Sequence, residues 1–356
     1  RPWTARDAVL ITYGDSLHGP DQAPLEVLGR FLREHIREAF STVHILPFFP
    51  YSSDDGFSVI HFRQVNPQLG DWSHVEAIAK DYRLMVDLVL NHVSRQSGWF
   101  RDFEAGVAPG RDYFVTADPA QDLSQVVRPR THPLLSPAAT RDGVRHVWTT
   151  FSADQVDLNF ANPDVFFDML DVLLYYIVRG ARVIRLDAIA YLWKRPGTPC
   201  LHLPETHEVV RLLRAFMDTV APDVVLLTET NVPHRENVSY FGAGDEAHMV
   251  YQFSLPPLLL HALEHGRADA LTAWAGALQP APRGCTYLNF TASHDGIGMR
   301  PLQGLVPDDD IASLARAVQE RGGQVSMRRN TDGTESPYEL NASWFDAVGG
   351  GDPDRQ

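Results

Sequence analysis

Ala181-Arg182-Val183-Ile184-Arg185-Leu186-Asp187 is the stretch on which the fold turns. Its apolar residues suit a strand covered on both faces, and it stops on a carboxylate. A helix comes before it. Asn162-Pro163 supplies a capping side chain and a proline for the first turn. Val165, Phe166, Met169, Leu170, Leu173 and Ile177 then recur on one face, and Gly180 closes the helix. A helix leading into a buried strand is the repeating unit of a parallel α/β fold.

Outward from this stretch the unit recurs. Upstream, Ala8 to Tyr13, Thr42 to Pro50 and Leu84 to Leu90 read as strands, with helices over Leu25 to Ile36 and Trp72 to Lys80. Downstream, a helix from Glu205 to Val220 leads to Val224-Val225-Leu226-Leu227, and Met249 to Phe253 and Thr286 to Phe290 follow as strands. Alternation at this spacing predicts an α/β fold of the (β/α)8 TIM-barrel type with right-handed crossovers, truncated before strand 8. Both ends read as cut: a strand begins soon after Arg1, and Gly349 to Gln356 follow the start of a helix. Between Val93 and Ala161 the period is lost, and so long a structureless loop is foreign to a compact fold. The expected organisation is strands one to three in 1–92, an inserted domain in 93–161 after strand 3, and strands four to seven with a following loop in 162–356.

With 356 residues, 44% of them hydrophobic, the chain can bury one large core. Lys and Arg number 31 against 45 Asp and Glu, a net charge of -14 with no basic run, which argues against a nucleic-acid partner. No apolar stretch is long enough for a bilayer and no leader pattern opens the chain, so no membrane partner is expected. Cys200 and Cys285 stand in apolar surroundings and read as core thiols, in keeping with a reducing cytoplasm.

Three apolar runs end on carboxylates: Asp187, Glu229 after Leu226-Leu227-Thr228, and Asp295 in Ser293-His294-Asp295-Gly296. Strand ends of this kind are where a β/α barrel keeps its chemistry. A retaining glycosidase needs two carboxyl groups about 5 Å apart, one as nucleophile and one as acid and then base. Asp187 and Glu229, on neighbouring strands, suit that spacing. Arg185 lies two residues before Asp187, hence on the same strand face, where a fixed cation keeps Asp187 ionised and aimed. The apolar approach to Glu229 through Leu226, Leu227 and Val232 favours its neutral form for acid work. His92 and His294 are candidates for hydrogen bonds to sugar hydroxyls, and each also reads as an ordinary structural histidine.

The segments Asp87-Leu88-Val89-Leu90-Asn91-His92, Arg185-Leu186-Asp187, Glu229 after its strand, and His294-Asp295 resemble, in order, the four short motifs of the α-amylase family, glycoside hydrolase family 13. The resemblance implies a (β/α)8 barrel with an insertion after strand three. It implies Asp187 as nucleophile, Glu229 as acid/base and Asp295 as transition-state stabiliser, with His92, Arg185 and His294 binding the sugar. Ile11-Thr12-Tyr13-Gly14-Asp15-Ser16, Leu46-Pro47-Phe48-Phe49-Pro50 with Asp54-Asp55-Gly56-Phe57, and His294-Asp295-Gly296-Ile297-Gly298 are similar to the sucrose phosphorylase branch. That branch implies Asp54 on glucose hydroxyls, Phe57 near the cleavage site, and Phe151 and Gln155 on the acceptor side. Thr228-Glu229-Thr230-Asn231-Val232-Pro233-His234 and Arg128-Pro129-Arg130 look like its glucosylglycerate phosphorylase members. The family's eighth strand and C-terminal β domain, which carries a further arginine, have no counterpart in the sequence.

The activity implied is phosphorolysis of an α-glucoside, sucrose or glucosylglycerate, through a β-glucosyl group on Asp187 to α-glucose 1-phosphate. The partners are then a small α-glucoside and inorganic phosphate as co-substrate. No cofactor and no metal is expected, although many amylases hold calcium beside the counterpart of Asn91. A hydrolase or transglucosidase on the same barrel is one alternative. A catalytically inactive carbohydrate-binding relative is another, against which the intact Asp187, Glu229 and Asp295 argue. Phosphate needs an anion site, for which Arg128, Arg130, His234, Arg235, Arg328 and Arg329 are the candidates, each also readable as a solvated charge. The acceptor stays open among fructose, fructose 6-phosphate, glycerate and glycerol, as does the oligomeric state.

Overall fold

The computed structural model describes all residues except 1, 2, 5, 330–333, 351, 353, 355 and 356, and the side chain of Arg329 also lies outside those described. The chain forms two compact units, Arg1–Glu229 and Thr230–Gln356.

The first unit is built on five parallel strands side by side in chain order: Val9–Thr12, Thr42–Ile45, Arg83–Val89, Ala181–Asp187 and Val225–Thr228. Leu84, Leu88, Ile184, Leu186, Leu226 and Leu227 are fully buried, which is why these strands read as apolar runs rather than as alternation. Asp87 pairs with Arg185 and Val89 with Asp187 across the third and fourth strands. The second strand ends at Ile45, short of the expected Pro50. Pro47 and Pro50 have no N–H to give a ladder, so pairing stops before them.

Local signals set the helices. Asn162 caps Pro163–Val178 by accepting the Asp164 amide at 3.0 Å, and Asp71 and His74 form a capping box on Trp72–Asp81. The helix expected through Ile36 is α-helical only over Pro24–Phe31 and widens to a π-helix over Leu32–Ile36. At that point the Tyr82 hydroxyl donates to the Leu32 carbonyl at 2.6 Å, an insertion into the ladder of the kind that widens a helix.

Between the third and fourth strands lie two antiparallel pairs, His92–Ser94 with Gln155–Asp157 and Leu135–Thr140 with Gly143–Trp148. The helix Gly98–Ala105 accompanies them. Val126, Leu134, Trp148 and Cys200 form one apolar cluster, so the Cys200 thiol is buried. Cys285, expected in a core, is only half-buried: its strand, Thr286–Leu288, begins at the next residue and is itself only partly covered.

In the second unit, Met249–Tyr251 and Thr286–Leu288 pair in parallel. The stretch after Asp295, expected as a loop, instead holds the helix Asp308–Glu320 and an antiparallel sheet of Ile297–Gly298, Glu335–Asn341 and Gln324–Arg329. Pro337 argues against a strand in the sequence, yet it faces Met327 at a register shift, where a missing N–H breaks no ladder. Leu258, Ile297, Leu302, Leu314 and Leu340 are the centre of this unit. Among the described residues no helix is long and apolar enough to cross a membrane.

One close approach in the first unit gives a test. A Cβ on Gly110 would stand 1.9 Å from the Trp99 carbonyl oxygen and 2.8 Å from Asp102 Cβ. Gly110→Ala should therefore cost about 1–3 kcal/mol through overpacking, read as a lower Tm. An unchanged Tm would mean that the turn after Gly98–Ala105 is looser than described.

Candidate active site

Asp187 ends the fourth strand and Glu229 directly follows the fifth. Arg185 Nη1 donates to Asp187 Oδ1 at 2.7 Å and to Asp87 Oδ1 at 2.5 Å, and its Nη2 lies 4.0 Å from Glu229 Oε2. His44 Nε2 stands 2.7 Å from the second Asp87 oxygen. The Arg185 and Asp87 side chains are 3% and 0% exposed, so water screens these charges little. One guanidinium thus touches two carboxylates and reaches a third. The apolar approach expected at Glu229 is only part of its surroundings. Its Oε2 also accepts the Ala188 N–H at 3.2 Å. Ala188 has φ of 50°, a left-handed conformation that a non-glycine residue keeps only when its surroundings impose it.

The other predicted residues of the first unit gather around this group. His92 Nε2 lies 3.1 Å from the Phe57 carbonyl and its Nδ1 3.2 Å from Asn91 Nδ2. The amide nitrogen donates to Nδ1, which leaves the ring proton on Nε2. Burial pushes the His92 pKa down, against the pull of Asp157 and Asp54. Gln155 Nε2 donates to Asp54 Oδ2 at 2.7 Å and stands 3.1 Å from His92 Nε2. The Phe57 ring lies 5.5 Å from the Arg185 guanidinium carbon. Phe151 packs against His92 and edge-on against Tyr191, both at 5.3 Å. Asp54, Phe57, His92, Phe151, Gln155 and Arg185 are therefore linked by direct contacts.

In the second unit, His294 Nε2 lies 3.4 Å from Asp295 Oδ2, with Asp295 half-exposed. Ser293 and Gly296 exchange both backbone hydrogen bonds, and Asn341 Nδ2 donates to the Asp295 carbonyl at 3.0 Å. Gly296 has φ of 97°, and a Cβ there would meet the Leu340 carbonyl oxygen at 2.0 Å, so only glycine fits this turn.

The anion candidates separate. Nε and Nη2 of Arg128 are buried without a hydrogen-bond partner among the described residues, and burial pushes its pKa down. Val127, its neighbour, donates to the Pro199 carbonyl at 3.0 Å, which sets Arg128 beside the loop that follows Asp187. Burial likewise pushes the half-buried His234 down. Arg328 Nε donates to Ser336 Oγ, and Arg130 and Arg235 are exposed.

The sequence model for the α-amylase catalytic domain matches residues 38–295. The chain belongs to the α-amylase family. It is 53% identical over 347 residues to the glucosylglycerate phosphorylase of Spirochaeta thermophila, covering 98% of this chain and 59% of that protein. To the sucrose phosphorylase of Agrobacterium vitis it is 32% identical, over 97% of this chain and 72% of that one. The crystal structure of sucrose 6F-phosphate phosphorylase from Thermoanaerobacter thermosaccharolyticum superposes with a TM-score of 0.85 at 26% identity, covering 98% of this chain and 72% of that one. The chain spans 59% to 62% of the length of the glucosylglycerate phosphorylases it matches. The fold is thus the (β/α)8 barrel of the sucrose phosphorylase-like branch, with five of its parallel strands in the first unit and two in the second.

Within this α-amylase-family barrel the surroundings of Asn91 hold a residue that the sequence reading misses. Lys194 Nζ donates to Asn91 Oδ1 at 2.6 Å and meets Asp157 Oδ2 at 2.6 Å. Asp157 also accepts the Thr150 amide at 3.0 Å and its hydroxyl at 2.5 Å. Burial pushes the Lys194 pKa down and Asp157 opposes it. Lys194 in Leu192-Trp193-Lys194-Arg195 carries no local sign of this role, whereas His44 and Asp87 do, as polar residues inside apolar strands. A possible metal group elsewhere, His261, His265 and Asp310, has ligand atoms within 4.8 Å of one another. Arg267 already donates to Asp310, and Ser313 bonds His265, so protein groups satisfy it.

Lys194→Met strands the Asp157 carboxylate and should cost about 3–5 kcal/mol, seen as a fall in Tm. Adding Asp157→Asn should recover part of the loss. A double variant less stable than Lys194→Met alone would contradict the pairing.

Proposed function

We propose that the protein is a retaining α-glucoside phosphorylase, acting on glucosylglycerate, with sucrose as the second donor to test. The observation that carries the reading is Asp187 held by Arg185 with Glu229 beside the same guanidinium, in a family of this chemistry. Asp187 attacks the anomeric carbon while Glu229 gives its proton to the departing oxygen, breaking the glycosidic bond. A phosphate oxygen then attacks the β-glucosyl group, Glu229 takes its proton, and the bond to Asp187 breaks. Two inversions return the α-configuration of glucose 1-phosphate. Asp295 stabilises the transition state. Asp54, Phe57, His92, Arg185 and His294 hold the glucose, and Phe151 and Gln155 line the acceptor side, walled by residues 93–161. The unpartnered nitrogens of Arg128 support it as the phosphate ligand. No cofactor is needed, and the thiols of Cys200 and Cys285 suit a cytoplasmic enzyme.

Proton NMR of the native protein acting on glucosylglycerate and on sucrose, with and without phosphate, tests the proposal. α-Glucose 1-phosphate should appear first. An initial β-phosphate, or hydrolysis indifferent to phosphate, sinks it.

The roles of the two carboxylates separate by rescue. Asp187→Asn should lower kcat by roughly four orders of magnitude with every donor. Glu229→Gln should spare glucosyl fluoride, whose leaving group needs little protonation, and azide should restore its turnover. Rescue in Asp187→Asn instead would exchange the two roles. Arg128→Ala removes charged hydrogen bonds worth about 1.5–3 kcal/mol, so the KM for phosphate should rise roughly 10- to 100-fold. An unchanged value would remove Arg128 from the phosphate site.

A further inference from the structure

The loop after the second strand, Tyr51-Ser52-Ser53-Asp54-Asp55-Gly56-Phe57-Ser58, carries two of the proposed glucose contacts. Asp54, Asp55 and Gly56 have φ of 58°, 46° and 108°. Successive left-handed residues are costly for L-amino acids, and two of these carry a Cβ. Such a backbone persists only where something outside it imposes the shape.

That outside group is Asp154. Its Oδ2 accepts the hydroxyls of Ser52 and Ser53 at 2.5 Å each and of Ser58 at 2.7 Å. The three serines flank the left-handed triplet on both sides. Ser52 Oγ also meets Ser94 Oγ at 2.5 Å and Ser58 Oγ at 3.1 Å. Asp154 is itself fixed, because its carbonyl accepts the Arg95 amide at 2.9 Å and the Ala153 carbonyl accepts Arg95 Nε at 2.6 Å. The next residue, Gln155, donates to Asp54 Oδ2. One dipeptide therefore governs both the backbone of the loop and the side chain of Asp54. Burial pushes the Asp154 carboxyl up, and the three serine hydroxyls more than offset this, leaving it below its ordinary value. An ionised oxygen is the acceptor that suits several converging hydroxyls.

We propose that Asp154 is a positioning residue: through Ser52, Ser53 and Ser58 it holds the strained loop that presents Asp54 to the glucose unit. The proposal rests on the reading of Asp54 as a glucose ligand. It makes the serine–carboxylate cluster part of donor recognition, separate from the acceptor and phosphate contacts.

A double-mutant cycle tests it, with kcat/KM for glucosyl fluoride, KM for phosphate and Tm as readouts. Asp154→Asn should lower kcat/KM about tenfold, by the same factor for glucosyl fluoride, sucrose and glucosylglycerate, with the phosphate KM unmoved. In an Asp54→Ala background the same substitution should cost less than about threefold, because the group it positions is gone. Should Asp154→Asn not fold, Ser53→Ala removes one hydroxyl and should follow the same pattern on a smaller scale. Equal losses in both backgrounds would make Asp154 merely structural and overturn the proposal while leaving Asp54 as a ligand. If Asp54→Ala alone left kcat/KM unchanged, the reading of Asp54 would fail and the proposal with it.

Discussion

The guanidinium of Arg185, wedged between Asp87 and Asp187, is the contact on which the first unit depends. Burying these charges is expensive, and stranding any one of them costs about 3–5 kcal/mol. The arrangement holds only at one strand register, since Asp87 and Arg185 are direct partners across the third and fourth strands. A slip of the fourth strand by one residue would turn Arg185 and Asp187 together to the other face of the sheet and take the guanidinium from Asp87. His44 ties the second strand to the same chain of charges through the other Asp87 oxygen. Strand register and the aim of Asp187 are therefore one constraint, met by one set of contacts.

Legibility in the sequence followed how local the physics was. The parallel strands stood out because both faces are covered, so Arg83–Val89 and Ala181–Asp187 are buried almost throughout. The helix start at Asn162 was readable because capping is a short-range signal. The carboxylates announced themselves at strand ends, and motif order supplied their partners. What escaped was fixed from a distance. Lys194 meets residues 91 and 157, and no local period marks such a pairing. The π-helix at Leu32 answers to Tyr82. The strand Glu335–Asn341 hides behind Pro337, tolerable only because its partner shifts register there. The left-handed Ala188 is invisible in a stretch that reads as apolar.

The short pair His92–Ser94 with Gln155–Asp157 concentrates these distant ties. His92 faces the Phe57 carbonyl, Ser94 meets Ser52, Gln155 holds Asp54, and Asp157 holds Lys194. Alternate residues of a strand share a face, and so do cross-strand partners, so His92, Ser94, Gln155 and Asp157 project from one face of the pair and hold the loop of Asp54 and the lysine together. The hairpin Leu135–Thr140 and Gly143–Trp148 makes no part of that ladder. It is tied to the ladder all the same: Arg95, which fixes Asp154, donates Nη1 to the Pro137 carbonyl at 3.1 Å, and Thr150, two residues past Trp148, donates to Asp157. Changes in the ladder reach furthest, because His92, Ser94, Gln155 and Asp157 each have a partner in another segment.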